Sequence, residues 1–311
     1  MVEFPVLVTG YNRPELMRDL LQHLSQIGVE NLYIALDGPK NLQDKLKCLE
    51  TLNEVLQAKN RFDLKILHRR YNLGCCLGMI SAIDWFFSKN DFGIVIEDDC
   101  KPSKEFFELV NDFFEKKGDN SLSCDIVSAH NPFNTKLSIN KTSFVLIHGW
   151  ATYSSVWKLI RLNYFKLNLP KFKNLKNETR AISSTLYCWR NAMRAKLGKV
   201  DTWDGIMSDQ VWRLGVKTLL PNENMVQNLG YGLNATHTKS VPIYKIDFTG
   251  TNQALNSKTD YFLAKYYFKI KPRHIVTSWL RVVTDFCGVL NRKNFEKLLE
   301  VDSELRYTNL P

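Results

Sequence analysis

The chain has 311 residues, 44% hydrophobic and 24% charged, enough for one large packed domain or two smaller ones. That balance excludes a disordered chain, and the lack of any run of about 18 apolar residues argues against a membrane-spanning helix. The 42 basic and 32 acidic residues leave a formal charge of +10, which points to a polyanionic partner: a phosphate-bearing ligand, nucleic acid or an anionic membrane.

The N-terminus, MVEFPVLVTGYNRPE, has no basic leader, long apolar core or small-residue cleavage site, so it does not read as a secretory signal. Pro5-Val-Leu-Val-Thr9 is a short apolar run, closed by Tyr-Asn-Arg-Pro and followed by helical spacing through Leu16, Leu20, Leu21 and Leu24. Leu32–Leu36 is a second run, ending in the turn Asp37-Gly38-Pro39, and Leu42–Leu56 has helical spacing. Leu64–Leu67 is a third strand, Gly78–Phe87 an apolar helix and Ile94-Val-Ile96 a fourth, buried strand. Short apolar runs alternating with helices predict an α/β fold with a mostly parallel sheet covered on both faces. Ligands in such sheets bind at the carboxyl ends of the strands. The loops Thr9–Pro14, Asp37–Pro39, Arg69–Gly74 and Glu97–Pro102 should therefore share one edge.

Beyond residue 120 the pattern changes. Asp125–Ser128 and Ser143–Ile147 read as strands, and His148-Gly-Trp-Ala-Thr-Tyr153 as a turn rich in glycine and aromatics. Lysine-rich sequence from Lys166 to Lys176 suggests an exposed excursion, and helical patterns return over Ala181–Lys196 and Asp204–Leu214. Pro272 precedes an amphipathic helix carrying Ile275, Val276, Trp279, Leu280, Val283 and Phe286 on one face.

Four features bear chemistry. Glu97-Asp98-Asp99 places three mutually repelling acids after a buried strand. A helix starting near Lys104 and capped by Ser103 would account for one or two of them. Three call for a cation or for hydrogen-bond donors, and a hard divalent ion shared with a substrate phosphate is the better account. Thr202-Trp203-Asp204 opens a helix that also carries Asp209: either a cap with tryptophans filling the core, or a carboxylate beside an aromatic wall serving as general base. His237 follows the glycine-rich Asn228-Leu-Gly-Tyr-Gly-Leu-Asn-Ala-Thr-His-Thr238 and is either a surface residue or an imidazole completing a Mn²⁺-type site. Arg13, Arg69 and Arg70 fall on the ligand edge, where guanidinium groups suit phosphate.

In this order, PVLVTGYNRPELMRDLLQHL, ALDGP, NLGCCLGMISAIDWFF, VIEDDCKPS, HGWATY, TWD and NLGYGLNATHT resemble a GT-A-fold glycosyltransferase. The likeness is to bacterial family-2-like sugar transferases and to N-acetylglucosaminyltransferase I, over about residues 4 to 240. It implies a Rossmann-like nucleotide-sugar transferase domain over 1–245, with a nucleotide-sugar-binding half (1–120) and an acceptor-binding half (121–245), then a helical extension over 246–311. It further implies that Asp99 binds Mn²⁺ (or Mg²⁺), with Asp98 toward the ribose and Glu97 toward the donor sugar. Asp37 would face the base; Arg13 and Asn72 join the donor-binding set. Asp204 would be the general base of an inverting reaction, with Asp209 as the alternative, and His237 a second contact to metal or diphosphate.

The partners implied are a nucleotide-diphosphate sugar and a glycan or lipid-linked acceptor, in surface polysaccharide synthesis. The seven scattered cysteines suit core thiols of a reducing compartment, which predicts a cytoplasmic protein, at the inner face of the membrane if the helix after Pro272 meets anionic lipid. Packing of that helix on its own domain is the favoured expectation, and pairing with a second copy a third. Two other functions compete: a sugar nucleotidyltransferase, which expects a more glycine-rich first loop than the lone Gly10 provides, and a catalytically silent nucleotide- or carbohydrate-binding module. Nucleic-acid binding ranks last, because the lysines are dispersed.

Overall fold

The computed structural model describes residues 2, 4–115, 124–133, 140–170, 179–230, 263 and 268. His237, the expected extension over 246–311 and the helix after Pro272 lie outside them, as does most of the lysine-rich excursion.

The first half follows the predicted alternation. In chain order come β1 (Val6–Gly10), α1 (Pro14–Ile27), β2 (Asn31–Leu36), α2 (Leu42–Gln57), β3 (Asp63–His68), α3 (Gly74–Phe87) and β4 (Phe92–Glu97). These four strands are parallel, in the order β3-β2-β1-β4. Side chains alternate across the sheet as strand geometry requires. Val6, Val8, Leu32, Ile34, Ile94 and Ile96 enter one core, with Met17, Leu20, Leu21 and Leu24 of α1. Leu7, Tyr33, Ala35 and Val95 face the opposite core, under Met79, Ile80, Ile83 and Phe86 of α3. Both faces are thus covered over β1, β2 and β4, which is why these three read as unbroken apolar runs, whereas β3 at the edge is only half-buried.

The second half adds β5 (Cys100–Pro102), α4 (Lys104–Glu115), β6 (Ile126–Ser128), β7 (Asn140–Thr142), β8 (Trp150–Tyr153), α5 (Ser154–Arg161), α6 (Thr179–Lys196), α7 (Asp204–Leu214), β9 (Thr218–Leu220) and β10 (Val226–Asn228). The large sheet continues β4-β8-β6-β9-β7, with β8 antiparallel to both its neighbours and β6 parallel to β9. The whole is a mixed α/β fold with a large, mostly parallel central sheet. A separate antiparallel pair, β5 with β10, lies beyond the end of β4.

Two sequence expectations are corrected. Ser143–Ile147 is not a strand: the strand is β7, just before it, and the apolar run that follows is buried without ladder pairing. Its side chains divide between two cores, Phe144 and Leu146 in one and Val145 in the other. Thr142 Oγ1 accepts from Phe144 N at 3.1 Å and Ser128 Oγ donates to Leu146 O at 2.8 Å, bonds that replace a ladder. Conversely, the turn expected over His148–Tyr153 is confined to His148 and Gly149. Trp150–Tyr153 is β8, drawn into the sheet because Trp150 is fully buried against Trp157 and Trp203.

Candidate functional site

The four loops expected on one edge do meet there. They line a cavity of about 570 Å³ at the carboxyl ends of β1, β2 and β4, together with residues 201–204 and with Asn228 and Gly230. That volume is ordinary for a small-molecule site.

The floor is the acid turn. Asp98 N donates to Thr9 O at 2.9 Å, so the turn is fastened to the end of β1. Arg13, the residue before Pro14 at the start of α1, bridges two of the acids: its Nη1 donates to Asp98 Oδ1 at 3.1 Å and to Asp99 Oδ2 at 2.8 Å. Burial pushes the Asp98 carboxyl up to about 7, with Arg13 pulling it down and Asp99 adding to the rise. Glu97 is raised as well, first by burial and then by Asp99, Asp98 and Asp204. A second contact comes from far along the chain: Leu229 N donates to Asp99 O at 2.7 Å. The backbone passes so close here that a Cβ on Gly230 would lie 2.1 Å from Asp99 Oδ2.

Asp37 and Asn72 also line the cavity, while holding its rim together. Asp37 Oδ1 accepts from Gly38 N and Leu73 N, both at 2.9 Å, and Oδ2 from Gly74 N at 3.2 Å. Burial nonetheless leaves its carboxyl above the usual range. Asn72 Nδ2 donates to Gly38 O at 2.8 Å, and its Oδ1 accepts from Gly74 N at 3.0 Å. Arg69 lines the cavity and donates to Ser81 Oγ at 2.5 Å; Arg70 does not line it and lies over the Tyr71 ring.

Asp204, the first residue of α7, lines the same cavity, where its charge adds to the rise at Glu97. Its Oδ1 accepts from Thr202 Oγ1, and the residue before it is immobilised. Trp203 is 2% exposed, stacks on Trp150 with ring centroids 6.2 Å apart, and accepts at its carbonyl from Tyr164 Oη at 2.5 Å. Asp209 is not part of this arrangement. It is buried among cations, with Arg213 Nε at 2.6 Å and Lys196 Nζ at 4.0 Å, and does not line the cavity.

The lining residues that were not singled out from sequence include Asp201, His148 and Lys40. Asp201 accepts from Cys75 N and Cys76 N, both at 2.8 Å, supplying the first turn of α3 with the acceptor that Leu73, its N-cap residue, lacks. Nothing local marks it, since its partners lie 126 and 125 residues away. His148 is half-buried, and its desolvation lowers its pKa while Asp99 and Asp204 pull it back up. A histidine directly after the apolar run Phe144–Ile147 was the available signal. Lys40 lines the mouth, with its ammonium 5.3 Å from the Tyr11 ring.

A divalent cation fits the donor set of the acid turn, which offers hard carboxylate oxygens in excess of cations. Among the described residues no three His, Cys, Asp or Glu side chains form a closed metal cage. The protein would thus supply one or two ligands and leave the remainder to phosphate and water, as Mg²⁺-type ions prefer.

No protein-family model matches the sequence, and no curated protein matches it. Among solved structures the chain is similar to HddC from Yersinia pseudotuberculosis, at 12% identity over 50% of this chain and 79% of that one, with a TM-score of 0.32. A putative glucose-1-phosphate thymidylyltransferase from Bacillus anthracis is similar at 12% identity, covering 53% and 76%, with a TM-score of 0.31. A197 from STIV is similar at 12% identity, covering 58% and 78%, with a TM-score of 0.29.

Proposed function

We propose that the protein is a divalent-cation-dependent, inverting glycosyltransferase that moves a sugar from a nucleotide-diphosphate donor to an acceptor hydroxyl on a glycan or lipid-linked glycan. One observation carries this reading: a single cavity is lined both by a cation-seeking acid turn and by a further carboxylate, Asp204, from a different element.

The roles follow from that division. Asp99 would hold Mn²⁺ or Mg²⁺, and His237 is its proposed second protein contact. When bound, the cation stabilises the negative charge that develops on the departing diphosphate. Arg13 and Arg69 supply fixed positive potential to the same phosphates. Asp98 and Glu97 orient the ribose and the donor sugar, and Asp37 and Asn72 the base. Asp204 takes the proton from the acceptor hydroxyl, whose oxygen attacks the anomeric carbon from the face opposite the diphosphate. The carbon–oxygen bond to the diphosphate breaks as the new glycosidic bond forms, and the anomeric configuration inverts. Surface-glycan synthesis at the cytoplasmic face of a membrane would give the charge of +10 an anionic surface to approach.

The second reading, a sugar nucleotidyltransferase, would use the same cavity for a nucleoside triphosphate and a sugar 1-phosphate. A thermal-shift screen of nucleoside diphosphates and nucleotide sugars, with and without Mn²⁺, finds the donor through the stabilisation that ligand binding confers. Transfer from that donor, abolished by Asp99→Ala and by Asp204→Asn but with donor binding kept in the latter, is the expected result. Formation of a nucleotide sugar from triphosphate and sugar 1-phosphate favours the second reading. Absence of any Mn²⁺-dependent nucleotide binding defeats both.

A further inference from the structure

The outer face of α2 is apolar where a surface helix ordinarily carries polar residues. Leu42, Leu46, Leu49 and Leu56 are 86%, 67%, 47% and 49% exposed, while Cys48, Thr51 and Val55 fill the inner face. Isolated exposed leucines are common on protein surfaces, but these four form a line. With Asn53 they succeed one another at alternating steps of four and three residues. That mean period of 3.5 is the seam of a paired helix.

Set on a heptad abcdefg, Leu42, Leu49 and Leu56 take d, and Leu46 and Asn53 take a. A single asparagine at an a position is a device that fixes register and strand number in parallel two-stranded pairs. The flanks agree with it. Lys45 falls at g and Glu50 at e, and in a parallel pair a g residue faces the e residue five positions on in the other helix. Lys45 of each copy then meets Glu50 of the other, twice by symmetry. Both side chains are exposed, and within the chain neither forms an ion pair among the described residues. An antiparallel pair would set e against e and g against g, and the match would be lost. The helix is already formed in the monomer, held by Asn41 capping its first turn at Asp44 N, so pairing carries no nucleation cost.

From this pattern we infer that the outer face of α2 is a homodimer interface, on which two copies of this chain pair their α2 helices in parallel with Asn53 against Asn53. The interface lies beside the cavity: Asp44 in the first turn of α2 accepts from Asn12 Nδ2 at 2.7 Å, on the cavity rim. The inference does not depend on the proposed reaction.

Sedimentation velocity of the full chain over a concentration series tests it. The wild type should sediment as a dimer that dissociates on dilution. Leu46→Asp should weaken it by about a hundredfold or more, because one leucine per copy leaves the seam, with a thermal melt unchanged at dilutions where both proteins are monomeric. Lys45→Glu and Glu50→Lys should each weaken it by about tenfold, since two attractions become two repulsions. An equimolar mixture of these two variants should recover wild-type affinity as a heterodimer, because both pairs regain opposite charge. A wild type that stays monomeric throughout overturns the inference, which is also the outcome if lipid or the chain's own later residues cover this face. So does a dimer indifferent to Leu46→Asp, or a charge-reversed mixture that fails to recover.

Discussion

Asp201 gives the sharpest test of how the cavity wall is held. Replacing it with alanine removes acceptors from two first-turn amides of α3, Cys75 N and Cys76 N, each bonded at 2.8 Å. Leu73, the N-cap residue of that helix, offers no side-chain acceptor, so the loss is not made good locally. Hydrogen bonds to a charged group contribute about 1.5–3 kcal/mol, and loss of a helix cap costs about 0.5–2 kcal/mol. Cys75 N lies in an exposed bond that water would largely replace, which puts Asp201→Ala near 2 kcal/mol, chiefly from Cys76 N. Asp201→Asn keeps one acceptor oxygen but loses the charge favoured at a helix N-terminus, a change of about 1 kcal/mol. For a domain of this size the melting temperature should fall by about 4–8 °C and 2–4 °C respectively. Hydrogen exchange at Cys75 and Cys76 should accelerate in the same order. Asp201 also anchors the loop that carries Asp204, so in the proposed transfer reaction kcat should drop in Asp201→Ala while KM for the proposed nucleotide donor stays nearly constant. If Asp201→Ala melts within 1 °C of wild type and exchange at both amides is unchanged, the clamp carries no load and the reasoning fails.

Other outcomes follow from the same geometry. Gly230→Ala forces a Cβ to within 2.1 Å of Asp99 Oδ2, so the segment or the acid must move; a loss of about 1–3 kcal/mol in urea denaturation, with weaker Mn²⁺ binding by calorimetry, is expected. The Asp98 carboxyl, at about 7 in the fold against about 3.9 unfolded, binds its proton more tightly in the native state. Stability should therefore fall as pH rises from about 4 through about 7, and Asp98→Asn should flatten that slope in melting curves; parallel slopes would refute the assignment. Asp84 accepts from Trp157 Nε1 at 2.7 Å and Arg161 Nε at 2.8 Å, so Asp84→Ala should cost about 2 kcal/mol on unfolding yet leave nucleotide binding intact.

How far the sequence reveals the fold depends on the range over which each element is determined. Strands β1, β2 and β4 were legible because each is an apolar run buried on both faces, and the half-buried edge strand β3 because Leu64, Ile66 and Leu67 still stand out between polar ends. The shared edge then follows from topology alone, and with it the convergence of Arg13, Asp37, Asn72 and the acid turn. The elements β5, β9 and β10 have three residues each, too few for a period, and are strands only because a distant partner lies beside them. Ser143–Ile147 misled because apolar content signals burial without saying whether the backbone is extended. Asp204 was visible as a helix-opening acid after a tryptophan. Asp201 was not, since its partners lie 126 and 125 residues away and no local pattern records that.

The cavity also has a history in time. Residues Arg13 to Asp99 leave the ribosome with the four parallel strands and the complete acid turn. The wall that encloses them does not yet exist: Asp201 reaches Cys75 across 126 positions, and Asn228 reaches Cys100 across 128. Contacts of such separation form slowly, because a long loop must close before they stabilise anything. A growing chain would thus expose its repelling acids to solvent, with Arg13 bridging Asp98 and Asp99, until the segment at residues 200–230 arrives. Closing the cavity is a long-range step that trails synthesis of the acid turn, and a nascent chain ending before it would have the sheet without the enclosed site.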